Sequence, residues 1–134
     1  LLRSRIAANE ASAVGSIRTI TTAEITFNTT YPGVGYATLT DLGGTTCTSP
    51  TSTSACLIDQ TLATASSSTG TGKSGYYFTV NQTASDFAAV ANPLNAGTTG
   101  VRAFCSSPDG VVRQNPTSGA TATTGTECQA WLAL

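Results

Sequence analysis

The sequence predicts an α+β fold in which a long N-terminal α-helix packs on a four-stranded antiparallel meander sheet. Three observations carry that prediction. An apolar stripe with a helical period runs from Leu1 to Phe27, alternation with a period of two takes over between Tyr76 and Arg113, and Thr/Ser/Gly-rich segments separate the two. Residues 1–134 are assigned to one domain, because this length supports one core and not two comfortable ones.

Residues 1–29 are read as the helix. At 100° per residue, Leu2, Ile6, Ala13, Ile17, Ile20 and Phe27 fall within an arc of about 80°, with Glu24 the one charged residue among them. No N-cap, capping box or turn precedes the stripe, so the helix is expected to continue something longer before residue 1. Thr19, Thr21, Thr22, Thr26, Thr29 and Thr30 lower the helical propensity towards the end, and Tyr31-Pro32-Gly33 stops it. Ile17, Ile20 and Phe27 are expected to bury against the rest of the chain. Leu2, Ile6 and Ala13 extend the same stripe, with Leu1 at its start, while a second seam through Ala7, Ala11, Val14 and Ile25 carries small residues. From Leu1 to Val14 the helix is expected to stand exposed and to pack against neighbouring subunits.

Residues 30–74 connect helix to sheet. Thr38-Leu39-Thr40-Asp41-Leu42-Gly43-Gly44 reads as one helical turn with Thr38 as N-cap and Gly43 as its stop. Leu57-Ile58-Asp59-Gln60-Thr61-Leu62 reads as a second short helix burying Leu57, Ile58 and Leu62, and Ser66 to Gly72 as a low-complexity loop. Residues 75–114 hold the strands, at Tyr76–Val80, Phe87–Ala91, Val101–Cys105 and Val111–Arg113. Ser107-Pro108-Asp109-Gly110 makes the last tight turn. Tyr76, Phe78, Val80 and Phe104 are expected to face the helix. Residues 115–134 are read as a C-terminal loop and tail tied down by a disulfide.

Only 10% of residues are charged, against roughly 25% in an average soluble domain, while Ser and Thr fill 40 of the 134 positions. The surface is therefore hydrated mainly by hydroxyls. Net charge is −1, and Arg3, Arg5 and Arg18 lie on the helix, which leaves no basic patch on the head for nucleic acid. Four cysteines without histidine or a C-x-x-C pair point to disulfides in an oxidising compartment. Three connectivities are open. The one with two separate loops, Cys47 with Cys56 and Cys105 with Cys128, is favoured. No apolar run approaches the ~20 residues of a membrane span.

Motifs for chemistry are sparse. Gly70-Thr71-Gly72-Lys73-Ser74 resembles the end of a phosphate-binding loop, but Ser67 stands where its first glycine belongs, and a strand rather than a helix follows. Without histidine, and without a close pair of carboxylates, no general acid or base is evident, so no catalytic role and no cofactor are expected. Asp109 is a weak candidate for a Ca²⁺ ligand, dependent on Asp86 or Glu127 converging on it.

The segment Leu1-Leu2-Arg3-Ser4-Arg5-Ile6-Ala7-Ala8-Asn9-Glu10-Ala11-Ser12-Ala13-Val14-Gly15-Ser16-Ile17-Arg18-Thr19-Ile20 strongly resembles bacterial type IV pilins just after their transmembrane segment, and the related pseudopilins of type II secretion. Tyr31-Pro32, Gly72-Lys73-Ser74-Gly75-Tyr76 and Ser107-Pro108-Asp109-Gly110-Val111-Val112-Arg113 extend the resemblance over most of the chain. It implies a ladle shape, export through the inner membrane and periplasm, and self-association into an extracellular helical filament through the N-terminal helix. It further implies a pilus assembly machinery as partner, and membrane contact only through an apolar segment preceding residue 1. A C-terminal disulfide loop, matched by Cys105 and Cys128, is also implied. The alternatives within the resemblance are a major pseudopilin, or a minor pilin acting as adhesin or DNA-uptake module.

Overall fold

The structure, a computed structural model, describes residues 1–45 and 47–134. Helix α1 spans Leu2–Thr30, within one residue of the expected limits. Its threonine-rich half stays helical because Ile17, Ile20, Ala23 and Phe27 are buried in the core; the hydroxyls of Thr19, Thr21, Thr26, Thr29 and Thr30 each donate to the carbonyl four residues earlier, at 2.9 to 3.0 Å. The chain turns away at Tyr31, whose N–H closes on the Phe27 carbonyl at 2.8 Å and whose ring lies 4.9 Å from that of Phe27.

Helix α2, Leu39–Leu42, begins at Thr38 as expected, with the Thr38 hydroxyl accepting from the Asp41 N–H at 3.2 Å. Helix α3, Gln60–Ala63, starts later than the expected start at Leu57. Asp59 is the reason. Its carboxylate caps the Leu62 N–H at 2.8 Å, which requires an extended backbone at Asp59 itself. Leu57 and Ile58 are left outside, both donating to the Leu42 carbonyl.

Five antiparallel strands, in the order β1-β2-β3-β4-β5, form the sheet in place of the four expected. They are β1 Tyr76–Gln82, β2 Phe87–Pro93, β3 Ala103–Ser106, β4 Arg113–Asn115 and β5 Leu132–Ala133. The additional strand comes from the tail, where Leu132 pairs with Gln114 and Ala133 with Arg113. Strand β4 lies later than the expected Val111–Arg113, because the Asp109 carboxylate takes the Val111 N–H at 3.0 Å and keeps that residue in the turn. Val112 still enters the core, while Val111 stays exposed.

Both faces of the sheet are covered. On one, Ile17, Ile20 and Phe27 of α1 pack with Tyr76, Phe78 and Phe104, all fully buried, and Val80 packs at the margin. On the other, Ala88, Val90 and Cys105 meet Ala122, Cys128 and Trp131 of the C-terminal segment. That segment contains helix α4, Gly125–Gln129, where only a loop was expected. Thr124 caps it and Asn92 anchors the loop before it, donating to the Ala120 carbonyl at 2.9 Å and accepting from the Gly119 N–H at 2.8 Å. The disulfides are Cys47–Cys56 and Cys105–Cys128, the second fastening α4 to the sheet.

Candidate assembly surface

What fixes the position of α1 is a set of polar tethers at the point where it leaves the head. The Glu10 carboxylate accepts the backbone N–H groups of Val101 and Arg102 at 3.1 and 2.9 Å, and the Arg102 guanidinium at 3.1 and 3.0 Å. Arg102 in turn donates to the Gln114 side chain at 2.7 Å. Burial by itself would raise the proton affinity of Glu10, but these hydrogen bonds outweigh it and hold the carboxyl below its ordinary range. On either side, Asn9 donates to the Thr99 carbonyl at 2.9 Å and Lys73 donates to the Ser16 hydroxyl at 3.1 Å. The lysine of the phosphate-loop-like segment is thereby a tether for the helix. Beneath the clamp, Tyr76 donates to the Arg102 carbonyl at 2.7 Å, and burial together with the Glu10 charge raises its proton affinity.

The clamp divides the helix at Glu10, earlier than expected. Ala13 and Val14, placed by the sequence in the exposed seam, are buried in the core. The rotation of the helix that lays Ile17 and Ile20 on the sheet brings these two residues down on it as well. Leu1, Leu2, Ala7 and Ala11 are exposed and Ile6 is half-buried, with Arg3 and Arg5 exposed beside them. Farther along, Ile25 is 46% exposed on the outer face. There an open groove of about 320 Å³ runs between α1 and Leu57, lined by Arg18, Thr19, Thr22, Ala23 and Thr26.

Glu24 is the other charged residue that sequence reading left without a partner. It is fully buried between α1 and the segment before α2, and the Ala37 N–H donates to it at 2.7 Å. Its second oxygen has no hydrogen-bond partner among the described residues. Burial pushes its carboxyl up to about 8, only partly countered by the Ala37 hydrogen bond.

Asp109 is occupied within its own turn. Its carboxylate accepts from Ser107 at 2.9 Å, from the Val111 N–H at 3.0 Å and from Arg113 at 2.8 Å. Asp86 holds the Gly125 N–H at 2.8 Å and Glu127 the Thr123 N–H at 2.9 Å. Among the described residues no three metal-ligating side chains gather. Comparison with family models, curated proteins and solved structures finds no match to this chain. No helix among the described residues is long and apolar enough to cross a membrane. Among the described residues, exposed large apolar side chains include Leu1, Leu2 and Ile25 of α1, and Leu132 and Leu134 of the tail.

Proposed function

We propose that this chain is the head of a type IV pilin, a structural subunit with no catalytic role that polymerises into an extracellular filament through the N-terminal helix. The observation that carries the reading is the start of α1, where Leu1 and Leu2 are exposed ahead of the clamp that ties Glu10 to Val101 and Arg102. The likeness of Leu1 to Ile20 to the pilin helix supports it, as do the two disulfides, which suit an oxidising exterior. A hydroxyl-rich head of low charge supports it too, since such a surface stays hydrated without depending on ionic strength.

Immunogold electron microscopy of the source bacterium, with antibodies raised against this chain, tests the reading. Label along surface filaments, lost on deletion of the gene, is the expected result. Label confined to the cell envelope, with filaments unlabelled or absent, overturns it.

A further inference from the structure

The two disulfides stand in different surroundings. Cys105 and Cys128 are both fully buried, packed with Ala88, Val90 and Ala122 between the sheet and the C-terminal segment, so no thiol in solution reaches them while α4 stays in place. Cys47 is exposed and Cys56 half-buried, and residues 47–51 of the loop that they close are all exposed. The two sulfurs of this bridge also differ from each other. The chain at Gly44 runs so close to the inner one that a Cβ placed there would meet the Cys56 Sγ at 2.8 Å. Cys47 is therefore the sulfur open to attack.

The chain is pinned on one side of this bridge. The Ala55 and Cys56 N–H groups donate to the Asp41 and Gly43 carbonyls, both at 2.9 Å, and the Leu57 and Ile58 N–H groups to the Leu42 carbonyl at 2.8 and 3.2 Å. Ala55 and Ile58 are also buried in the core. Within the loop, Thr51 and Ser54 bond to each other from N–H to carbonyl in both directions, at 3.1 and 3.2 Å, which closes a small turn that needs no support from the head. Cys56 itself has a φ of 55°, a left-handed backbone that disfavours any residue with a Cβ. The closed form therefore carries a local cost, and strained or exposed bridges are the more readily reduced ones.

We propose that Cys47–Cys56 is a thiol–disulfide exchange site, a reversible clip that an external dithiol opens while Cys105–Cys128 and the head stay intact. A thiolate of the dithiol attacks the Cys47 Sγ, the bridge breaks, and Cys56 leaves as a thiolate that takes a proton from water. The second thiol of the reductant then displaces Cys47 from the mixed disulfide. Two electrons and two protons pass to the bridge, and the dithiol becomes a disulfide. The product is asymmetric. Cys56 stays between residues that remain bonded to α2, whereas Cys47 and the hydroxyl-rich stretch 47–54 are released. The pinned cysteine is placed to recapture the released one, which makes the opening reversible.

The test treats the intact chain with dithiothreitol under native conditions, quenches with N-ethylmaleimide at intervals and maps the labelled cysteines by mass spectrometry. Label is expected at Cys47 and Cys56 at least about a hundredfold faster than at Cys105 and Cys128, which must wait for α4 to open. In the protein reduced at the first bridge alone, hydrogen exchange is expected to rise at amides 47–54 and to stay unchanged at Leu57 and Ile58, and oxidised glutathione to restore the bridge. In single variants, Cys47 of C56S is expected to react with maleimide at least about tenfold faster than Cys56 of C47S, circular dichroism confirming that both fold. Equal reduction rates for the two bridges, or earlier reduction of Cys105–Cys128, overturn the proposal. So do lost protection at Leu57 and Ile58, failure of the bridge to re-form, and equal maleimide rates in the two variants.

Discussion

Replacing Glu24 by glutamine tests how the buried carboxyl governs stability. In the unfolded chain Glu24 releases its proton near 4.5, and in the folded protein near 8. Between those values the folded state holds a proton that the unfolded state has lost, so the contribution of Glu24 to stability is greatest below 4.5, falls as the pH rises and levels off above 8. At 1.36 kcal/mol for each tenfold change in proton affinity, the whole transition is worth roughly 5 kcal/mol, an upper figure because local relaxation would let water reach the carboxylate. The window is unusually clear of other side chains. The chain has no histidine, and Glu10 is held below the ordinary carboxylate range, so its own contribution is complete before the window opens. Urea unfolding followed by circular dichroism at half-unit steps from pH 5 to 9, disulfides intact, measures the effect. Wild type is expected to lose several kcal/mol across that range. E24Q keeps an oxygen for the Ala37 N–H and has nothing to titrate, so its stability is expected to be nearly flat and to match or exceed wild type by pH 9. Equal slopes for the two proteins would refute the assignment of the pH dependence to Glu24.

E10A removes the acceptor for two backbone N–H groups and for Arg102, and should cost about 2–3 kcal/mol, with faster hydrogen exchange at amides 5 to 13 than in the rest of α1. Removing Cys105–Cys128, which closes 23 residues, should cost roughly 3.5 kcal/mol, and removing Cys47–Cys56, which closes 9, roughly 2.5 kcal/mol; urea midpoints of paired Cys→Ser variants in the opposite order would contradict this. G100A places a methyl group against the Tyr76 ring, which is itself fixed by its bond to the Arg102 carbonyl, and should cost about 1–3 kcal/mol in thermal or urea unfolding.

Local signals were legible in the sequence and long-range polar ones were not. The period of α1, the Thr38 cap, the starts of β1 and β2 and the separate disulfide loops all depend on neighbours within a few residues or on simple spacing. The T-x-x-E signature at Thr124 to Glu127 also marks α4, but the surrounding threonines and glycines masked it. Strand β5 has two residues and no pattern of its own; it exists because the exposed edge of β4 offers partners to the tail that Cys128 holds nearby. The clamp joins Glu10 to a residue 92 positions away, and nothing around either residue announces the other. Ala13 and Val14 were misplaced for the same reason, since the clamp determines where contact with the sheet begins.

The threonines of α1 alter what the helix offers to its surroundings. A hydroxyl turned back onto a carbonyl of its own helix is withdrawn from solvent, and the methyl group on the same carbon is turned outward. Thr19, Thr26, Thr29 and Thr30 all do this on exposed positions. A stretch that counts as hydrophilic by composition therefore displays a coat of methyl groups closer to valine than to serine. It can meet another apolar surface with little dehydration cost, because those hydroxyls already have a partner inside the helix.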